Sequence, residues 1–217
     1  MKILLVNPPY VHSNAFDSRA PSLALFYLAA ELQQRGHQVE IYDATIGPVV
    51  KTDTVYRYGQ DQAAMATFLQ TADFDLAGIT CSYTARWRFV DQIARVIKEF
   101  HPTVPVAVGG LFPTSEWEYC LRQCPAVDIV FLGEAEQTLG ELADRLGKGQ
   151  ALSQAGALLD GVAWREGENF FSRPKERYIE KLDELPFPAW HLVNLADYFA
   201  MQRRIFELPP PCLPVLP

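Results

Sequence analysis

The sequence predicts an α/β fold: a five-stranded parallel sheet, doubly wound with helices on both faces. Three observations predict it. Short apolar runs alternate five times with longer helical patterns between Lys2 and Gly147. Most of these runs lack polar alternation, so their strands have no face suited to water. The chain has 217 residues, 49% hydrophobic and 21% charged, enough for one sizeable core.

The elements come in order. Lys2–Asn7 (KILLVN) is a short apolar run with branched residues, stopped by Pro8 and Pro9, and reads as a buried strand. A polar loop runs on to Arg19. Pro21 fits the first turn of a helix, where its missing N–H costs nothing, and Gly36 supplies the left-handed cap after Arg35. Gln38–Asp43 is the second strand, and Thr45–Gln60 reads as an irregular loop. Asp61–Thr71 is a helix and Leu76–Cys81 the third strand. Trp87–Phe100 places Phe89, Ile93, Val96, Ile97 and Phe100 on one helical face. Val104–Val108 is the fourth strand, followed by Gly109 and Gly110. Ser115 reads as the N-cap of a short helix through Arg122. Ile129–Leu132 is the fifth strand, and Glu136–Leu146 a long helix ended by Gly147.

Beyond residue 150 the rhythm changes. Gly161–Arg165 and Phe170–Ser172, joined by a turn at Glu166–Asn169, read as a β-hairpin. Pro186 and Pro188 exclude a helix interior across LPFPAW. Five prolines fall in Leu208–Pro217, so an extended or disordered tail is expected. The organisation is therefore an α/β unit over 1–150, a hairpin and linker over 151–207, and a proline-rich tail over 208–217. A common order for five such strands is the flavodoxin-like, Rossmann-like 2-1-3-4-5. Its switch point lies between strands one and three, and ligands bind there, outside the carboxyl ends of the strands.

Bulk charge excludes some functions. Net charge is −7, which argues against nonspecific nucleic-acid binding. No basic stretch precedes an apolar run at the N-terminus, and no apolar run reaches about 18 residues, so neither a signal peptide nor a membrane span is expected. With no export signal, the four cysteines read as reduced thiols in the cytoplasm.

The loops after strands one, three, four and five should meet at one edge. Asn7, Pro8 and Pro9 either end the strand or form a rigid shelf beside a ligand. Ser82, Tyr83 and Thr84 offer hydroxyls for a ligand's phosphate or amide groups, or Ser82 or Thr84 caps a helix. Gly109 and Gly110 allow a tight turn or close approach of backbone to ligand; one glycine would suffice for the turn. Gly133 precedes Glu134 and Glu136, acids that suit a helix N-terminus without any ligand. A GxGxxG fingerprint is absent. His12, His37, His101 and His191 have no metal-ligand spacing, and Cys120 and Cys124 read as half-buried thiols on one helical face.

Four features stand in sequence: KILLVNPP, ITCSYTA, VAVGGLFPT and DIVFLGEAEQTLGEL, followed by LDELPFPAW. Together they resemble the N-terminal cobalamin (B12)-binding domain of B12-dependent radical SAM enzymes, over about residues 1–200. The resemblance implies cobalamin on the carboxyl edge of the sheet. Its nucleotide tail would enter the groove between strands one and three, beside Asn7, Pro8 and Pro9. Ser82, Tyr83 and Thr84 would line that groove. Gly109 and Gly110, with Leu111 beside them, would let the tail or corrin edge pass close to backbone. Gly133, Glu134 and Thr138 would close the far side. In that family a methyl group on cobalt is commonly passed to a carbon or phosphorus centre.

The sequence departs from the family pattern in two ways. The CxxxCxxC loop that holds a [4Fe–4S] cluster, and through it S-adenosylmethionine, is absent. Radical catalysis by this chain alone is therefore not expected, and the barrel would come from a longer chain or a partner in trans. The lower-ligand signature D-x-H-x-x-G is also absent, with Asn7 and Pro9 where its Asp and His would stand. His12 lies in the same loop, either as a surface histidine or within reach of cobalt. The leading expectation is a cobalamin-binding module of the methyl-transfer class. The alternative is a noncatalytic interaction domain that kept the fold and lost the cofactor, with Tyr10 or Tyr83 plugging the groove. A receiver domain ranks low, because it needs clustered acids after strand one. A missing partner domain would leave exposed apolar surface on the hairpin and LPFPAW.

Overall fold

A computed structural model describes residues 1–13, 19–201 and 213–214. The first strand, β1 (Lys2–Asn7), leads through a short β2 (Tyr10–His12) to helix α1 (Leu23–Gln34). Then come β3 (Gln38–Asp43), β4 (Val49–Lys51), β5 (Tyr56–Tyr58) and α2 (Gln62–Thr71). Strand β6 (Leu76–Thr80) passes through a 3-10 turn at Thr84–Arg86 into α3 (Trp87–Phe100). Next are β7 (Val106–Gly109), α4 (Leu111–Ser115), α5 (Trp117–Gln123), β8 (Ile129–Phe131) and α6 (Glu136–Gly147). A short α7 (Leu152–Gly156) precedes the hairpin β9 (Val162–Glu166) and β10 (Asn169–Arg173), and α8 (Leu195–Met201) comes last.

The main sheet has the order β10-β9-β8-β7-β6-β1-β3. Strands β3, β1, β6, β7 and β8 run parallel, which is the expected 2-1-3-4-5 order. The hairpin adds two antiparallel strands to this sheet, with Ile129 opposite Trp164 and Phe131 opposite Val162. The change of rhythm after residue 150 is therefore a change of strand direction within one sheet.

Period-two alternation builds two cores from one sheet. Leu4, Val6, Ile79, Val106, Val108 and Val130 face α2, α3 and α5. Ile3, Leu5, Leu76, Ala107, Ile129 and Phe131 face α1, α6 and α7. Burying one such large side chain contributes about 1.5–3 kcal/mol, so β1, apolar on both faces, is tightly held. Asp61 caps α2 by accepting from the Ala64 N–H at 2.9 Å. Gly36 ends α1 at φ 84°, in the left-handed region glycine favours.

Two expectations are corrected. Thr45–Gln60 is not irregular throughout: β5 pairs with both β2 and β4 in a three-stranded antiparallel sheet, where Tyr10 stacks on Tyr58 at 4.8 Å. The strands have three residues each, and β2 pairs with β5 across more than forty positions of chain, so no local period announces them. Ser115 is not an N-cap. Gly110 stands at the N-cap of α4, Ser115 ends that helix, and its Oγ donates to the Leu111 carbonyl at 3.0 Å. Pro113 fits because it lies in the first turn, where no N–H is needed. The expected tail over 208–217 lies outside the described residues except for 213–214.

After β10 the chain returns as a strap. The Glu176 and Arg177 N–H groups donate to the Asp160 carboxylate, and the Ile179 N–H to Glu134 Oε2 at 2.8 Å. Trp190 packs on Phe26 at 4.5 Å. Tyr198, wholly buried, donates from its hydroxyl to Asp43 Oδ2 at 2.6 Å. Exposed apolar side chains gather on the hairpin and strap: Phe171, Tyr178, Leu182 and Phe187, the last 96% exposed.

Burial, reinforced by Asp43, pushes the Tyr198 hydroxyl far above its ordinary pKa, so it remains a proton donor. Tyr198→Phe leaves a buried carboxylate oxygen one partner short. It is expected to lower stability by about 1–3 kcal/mol in urea unfolding monitored by circular dichroism.

Candidate functional site

The carboxyl ends of β1, β6, β7 and β8 share one edge, and two cavities open there beside a polar recess at the β1 terminus. The wider is an open cleft of about 1170 Å³ bordered by Ser82, Tyr83, Thr84 and Leu111. Its apolar side is an aromatic cluster in which Trp87 lies 5.7 Å from Phe112 and 6.4 Å from Tyr119. Tyr83 and Leu111 project into solvent at its rim, 66% and 72% exposed. The 3-10 turn begins without a side-chain cap, and so does α3, so Ser82 and Thr84 are not spent as helix caps.

The narrower cavity is a slot of about 130 Å³ between the strand ends and helices α1 and α6. Leu5, Leu25, Leu28, Phe131 and Leu139 wall it, and Gly78, Ala107, Gly109, Gly110 and Gly133 leave it space. The two adjacent glycines act differently. Gly110 has φ 118°, and a Cβ there would lie 2.5 Å from the Cys81 carbonyl oxygen, so the fold itself demands glycine. At Gly109 a Cβ would meet Phe131 Cβ at an ordinary 3.7 Å. No clash requires glycine there; its missing side chain widens the slot. Gly78 lies across the slot, where a Cβ would come within 3.0 Å of Leu5 Cδ2. Gly110 borders the slot and Leu111 borders the cleft, so the two cavities adjoin at that step.

The remaining expected residues fall elsewhere. Asn7 is buried; its Nδ2 donates to Asp43 Oδ1 at 3.0 Å and its Oδ1 accepts from Arg86 Nη1 at 3.0 Å. Pro8 and Pro9 are buried beside it. These three residues brace the β1 terminus outside the cleft and the slot, and Asn7 lines the polar recess with Tyr10 and Tyr83. Thr138 is buried behind the slot, donating to the Asp160 carbonyl at 3.2 Å and accepting from Lys175 Nζ at 3.1 Å. Glu134 lines the slot and is held by the strap through the Ile179 N–H. His12 borders the same polar recess with Arg19 and Arg86.

Sequence reasoning passes over Gly78, Thr80 and Glu136 as site residues, yet all three line the slot. A glycine inside the apolar run LAGIT is a usable signal, because strand-interior glycines mark close approach. Arg86, which ties the 3-10 turn to Asn7 and lies over the Tyr10 ring at 5.0 Å, has no local signature.

No group of three or more His, Cys, Asp or Glu side chains among the described residues could hold a metal ion. The site instead suits an organic group with two parts. A broad face needs an open, partly apolar cleft; a narrow aromatic tail needs a slot without side chains at its entrance. The protein offers both, contiguous, at the switch-point edge of a doubly wound sheet. These features define a cofactor-binding α/β domain.

Comparison with known proteins agrees. Residues 13–143 match the B12 binding domain, and the chain belongs to that family. Cobalamin is the cofactor of the family. An uncharacterized methyltransferase of Pyrococcus horikoshii is 31% identical over 92% of this chain and 40% of its own length. The cytidylyl-2-hydroxyethylphosphonate methyltransferase of Streptomyces wedmorensis is 27% identical over 93% and 42%. The anaerobic magnesium-protoporphyrin IX monomethyl ester cyclase of Synechocystis sp. is 26% identical over 91% and 37%. The chain thus spans well under half the length of these relatives. Among solved structures, the receiver domain of RcsB from Escherichia coli superposes with a TM-score of 0.45 and 14% identity, covering 69% of this chain and 95% of that one. A likeness at that level bears on neither site nor function.

The thiols near the site are made inert by their surroundings. Burial pushes Cys81 up to about 11, and Cys120 and Cys124 up to about 12. All three therefore stay protonated at pH 8. They are expected to resist iodoacetamide in the folded protein and to react once urea unfolds it, as read by peptide mass.

Proposed function

We propose that this chain is the cobalamin-binding module of a methyl-transfer protein and is catalytically incomplete alone. One observation carries the reading: the glycine-lined slot meets the wide cleft at the Gly110–Leu111 step. In this reading the nucleotide base of cobalamin enters the slot beside Gly78, Gly109 and Gly133. The corrin lies across the cleft, against Ser82, Tyr83, Thr84 and Leu111. Bound cobalamin supplies methyl-group transfer. The chain's own residues bind and orient it: the aromatic cluster keeps the cleft dry, and the Asn7–Asp43–Arg86 clasp holds the loops after β1 and β6 at fixed separation.

The rest of the activity belongs to sequence that this chain does not contain. A radical SAM barrel, with S-adenosylmethionine and a [4Fe–4S] cluster, would come from a longer chain or a partner in trans. Residues 1–150 hold the cofactor, and the hairpin and strap over 151–207 lead toward that barrel. The exposed Phe171, Leu182 and Phe187 support such a neighbour. No helix among the described residues is long and apolar enough to cross a membrane. Free thiols at Cys81, Cys120 and Cys124 support the cytoplasm as the working compartment.

The test is a titration of purified protein with hydroxocobalamin, then desalting and a visible spectrum. The wild type is expected to retain near-stoichiometric colour. Gly109→Leu, which fills the slot without a backbone clash, is expected to lose most of it while keeping its circular dichroism spectrum. A colourless wild type would overturn the reading and favour an interaction domain that has lost the cofactor. Tyr10 and Tyr83 border the polar recess beside Asn7 and lie outside the slot.

A further inference from the structure

The slot is apolar except for Thr80, Glu134 and Glu136. Glu134 is engaged by the strap. The backbone N–H groups of Glu136 and Ala135 reach the Glu136 carboxyl, but its Oε2 is buried and has no hydrogen-bond partner. A buried polar atom without a partner costs roughly 1–3 kcal/mol, so it points to a group the protein meets only when loaded. Glu136 opens α6, and Leu139, three residues on and on the same helical face, also lines the slot.

The protonation state of this carboxyl decides what it can bind. Burial pushes its pKa up. The backbone N–H groups of Glu136 and Ala135 and the Lys175 ammonium oppose the rise, and Glu134 adds to it. Lys175 is itself 3.5 Å from Asp160. The other walls, from α1 and from β1, β6, β7 and β8, present Ala24, Leu25, Leu28, Leu5, Ala107 and Phe131 to the slot, with no titratable group. A carboxylate only accepts hydrogen bonds; a carboxylic acid also donates. A ring nitrogen with a free lone pair only accepts. The acid form is therefore the one that complements a nitrogen heterocycle in an otherwise apolar slot.

We infer that Glu136 is a specificity-determining residue of the slot, donating from its carboxylic acid to a ring nitrogen of the cofactor's heteroaromatic base. The inference rests on the cobalamin reading and deepens it. It assigns the slot to cobamides with benzimidazole or purine bases, over cobamides whose tail is a phenol and carries no ring nitrogen. Glu136→Gln keeps a donor in its amide N–H; Glu136→Leu keeps bulk and removes it.

The test measures affinities by absorbance titration for three ligands: cobalamin, a phenolyl cobamide, and cobinamide, which lacks the base altogether. Wild type and both variants are titrated between pH 5 and pH 8.5. Wild type is expected to prefer cobalamin over the phenolyl cobamide by about tenfold at low pH, the equivalent of about 1.4 kcal/mol. That preference should shrink as pH rises through the raised pKa of Glu136, because the donor is lost. Glu136→Gln should keep the preference at every pH, and Glu136→Leu should lose it at every pH with cobinamide binding unchanged. A leucine variant that keeps the full preference overturns the inference and leaves the cobalamin reading standing. If that variant fails to fold, the glutamine variant decides: a preference that still falls with pH overturns the inference, and a flat one supports it. A wild type that binds none of the three ligands overturns both.

Discussion

Both faces of β1, β6, β7 and β8, four of the five parallel strands, are buried, and the rest of the molecule depends on that constraint. Ile3 and Leu5 of β1 are sealed on one side and Leu4 and Val6 on the other. Helices must therefore cover both faces, which leaves the strand ends as the place where a ligand can meet the sheet. Because the strands share one direction, the loops after β1, β6, β7 and β8 meet at a single edge. The slot is a gap in that edge, held open where side chains are missing. It is not a separate device laid on the surface.

A second layer of organisation is polar. Asp43 accepts from Asn7 Nδ2, from the Thr45 N–H and hydroxyl, and from the Tyr198 hydroxyl. Asn7 in turn accepts from Arg86. One carboxylate thus joins the ends of β1 and β3 to a helix more than 150 residues later in the chain. Buried networks of this kind are stable only when fully satisfied, and each oxygen of Asp43 has at least one donor. The strap enters the site from its other end, because the Ile179 N–H holds Glu134 at the slot. A domain attached beyond α8 would therefore pull on the same edge that receives the cofactor.

Much of this is legible in the sequence. The five apolar runs, their order, the α3 face and the hairpin come from periodicity and from glycine and proline punctuation, which are local. The three-stranded sheet of β2, β4 and β5 does not, since its strands are too short to show a period and β2 lies far from its partner. The edge itself is legible, and Ser82, Tyr83, Thr84, Gly109, Gly110, Leu111, Gly133 and Glu134 line the two cavities. Asn7 has the expected position and a different role: its side chain is spent inside the clasp. Glu136 has a sufficient local explanation as an acid at a helix start. Only the packing of α6 against the strand ends shows that one of its oxygens is left without a partner.

The proposed reading puts the nucleotide base of cobalamin in the slot beside Gly78, Gly109 and Gly133. The direct measurement is the electron paramagnetic resonance spectrum of the protein loaded with cob(II)alamin. A base lodged in the slot predicts cobalt hyperfine lines that do not change when the nitrogens of the base are isotopically labelled. Nitrogen splitting that changes with that label would place the cofactor's own base on the cobalt and contradict the reading.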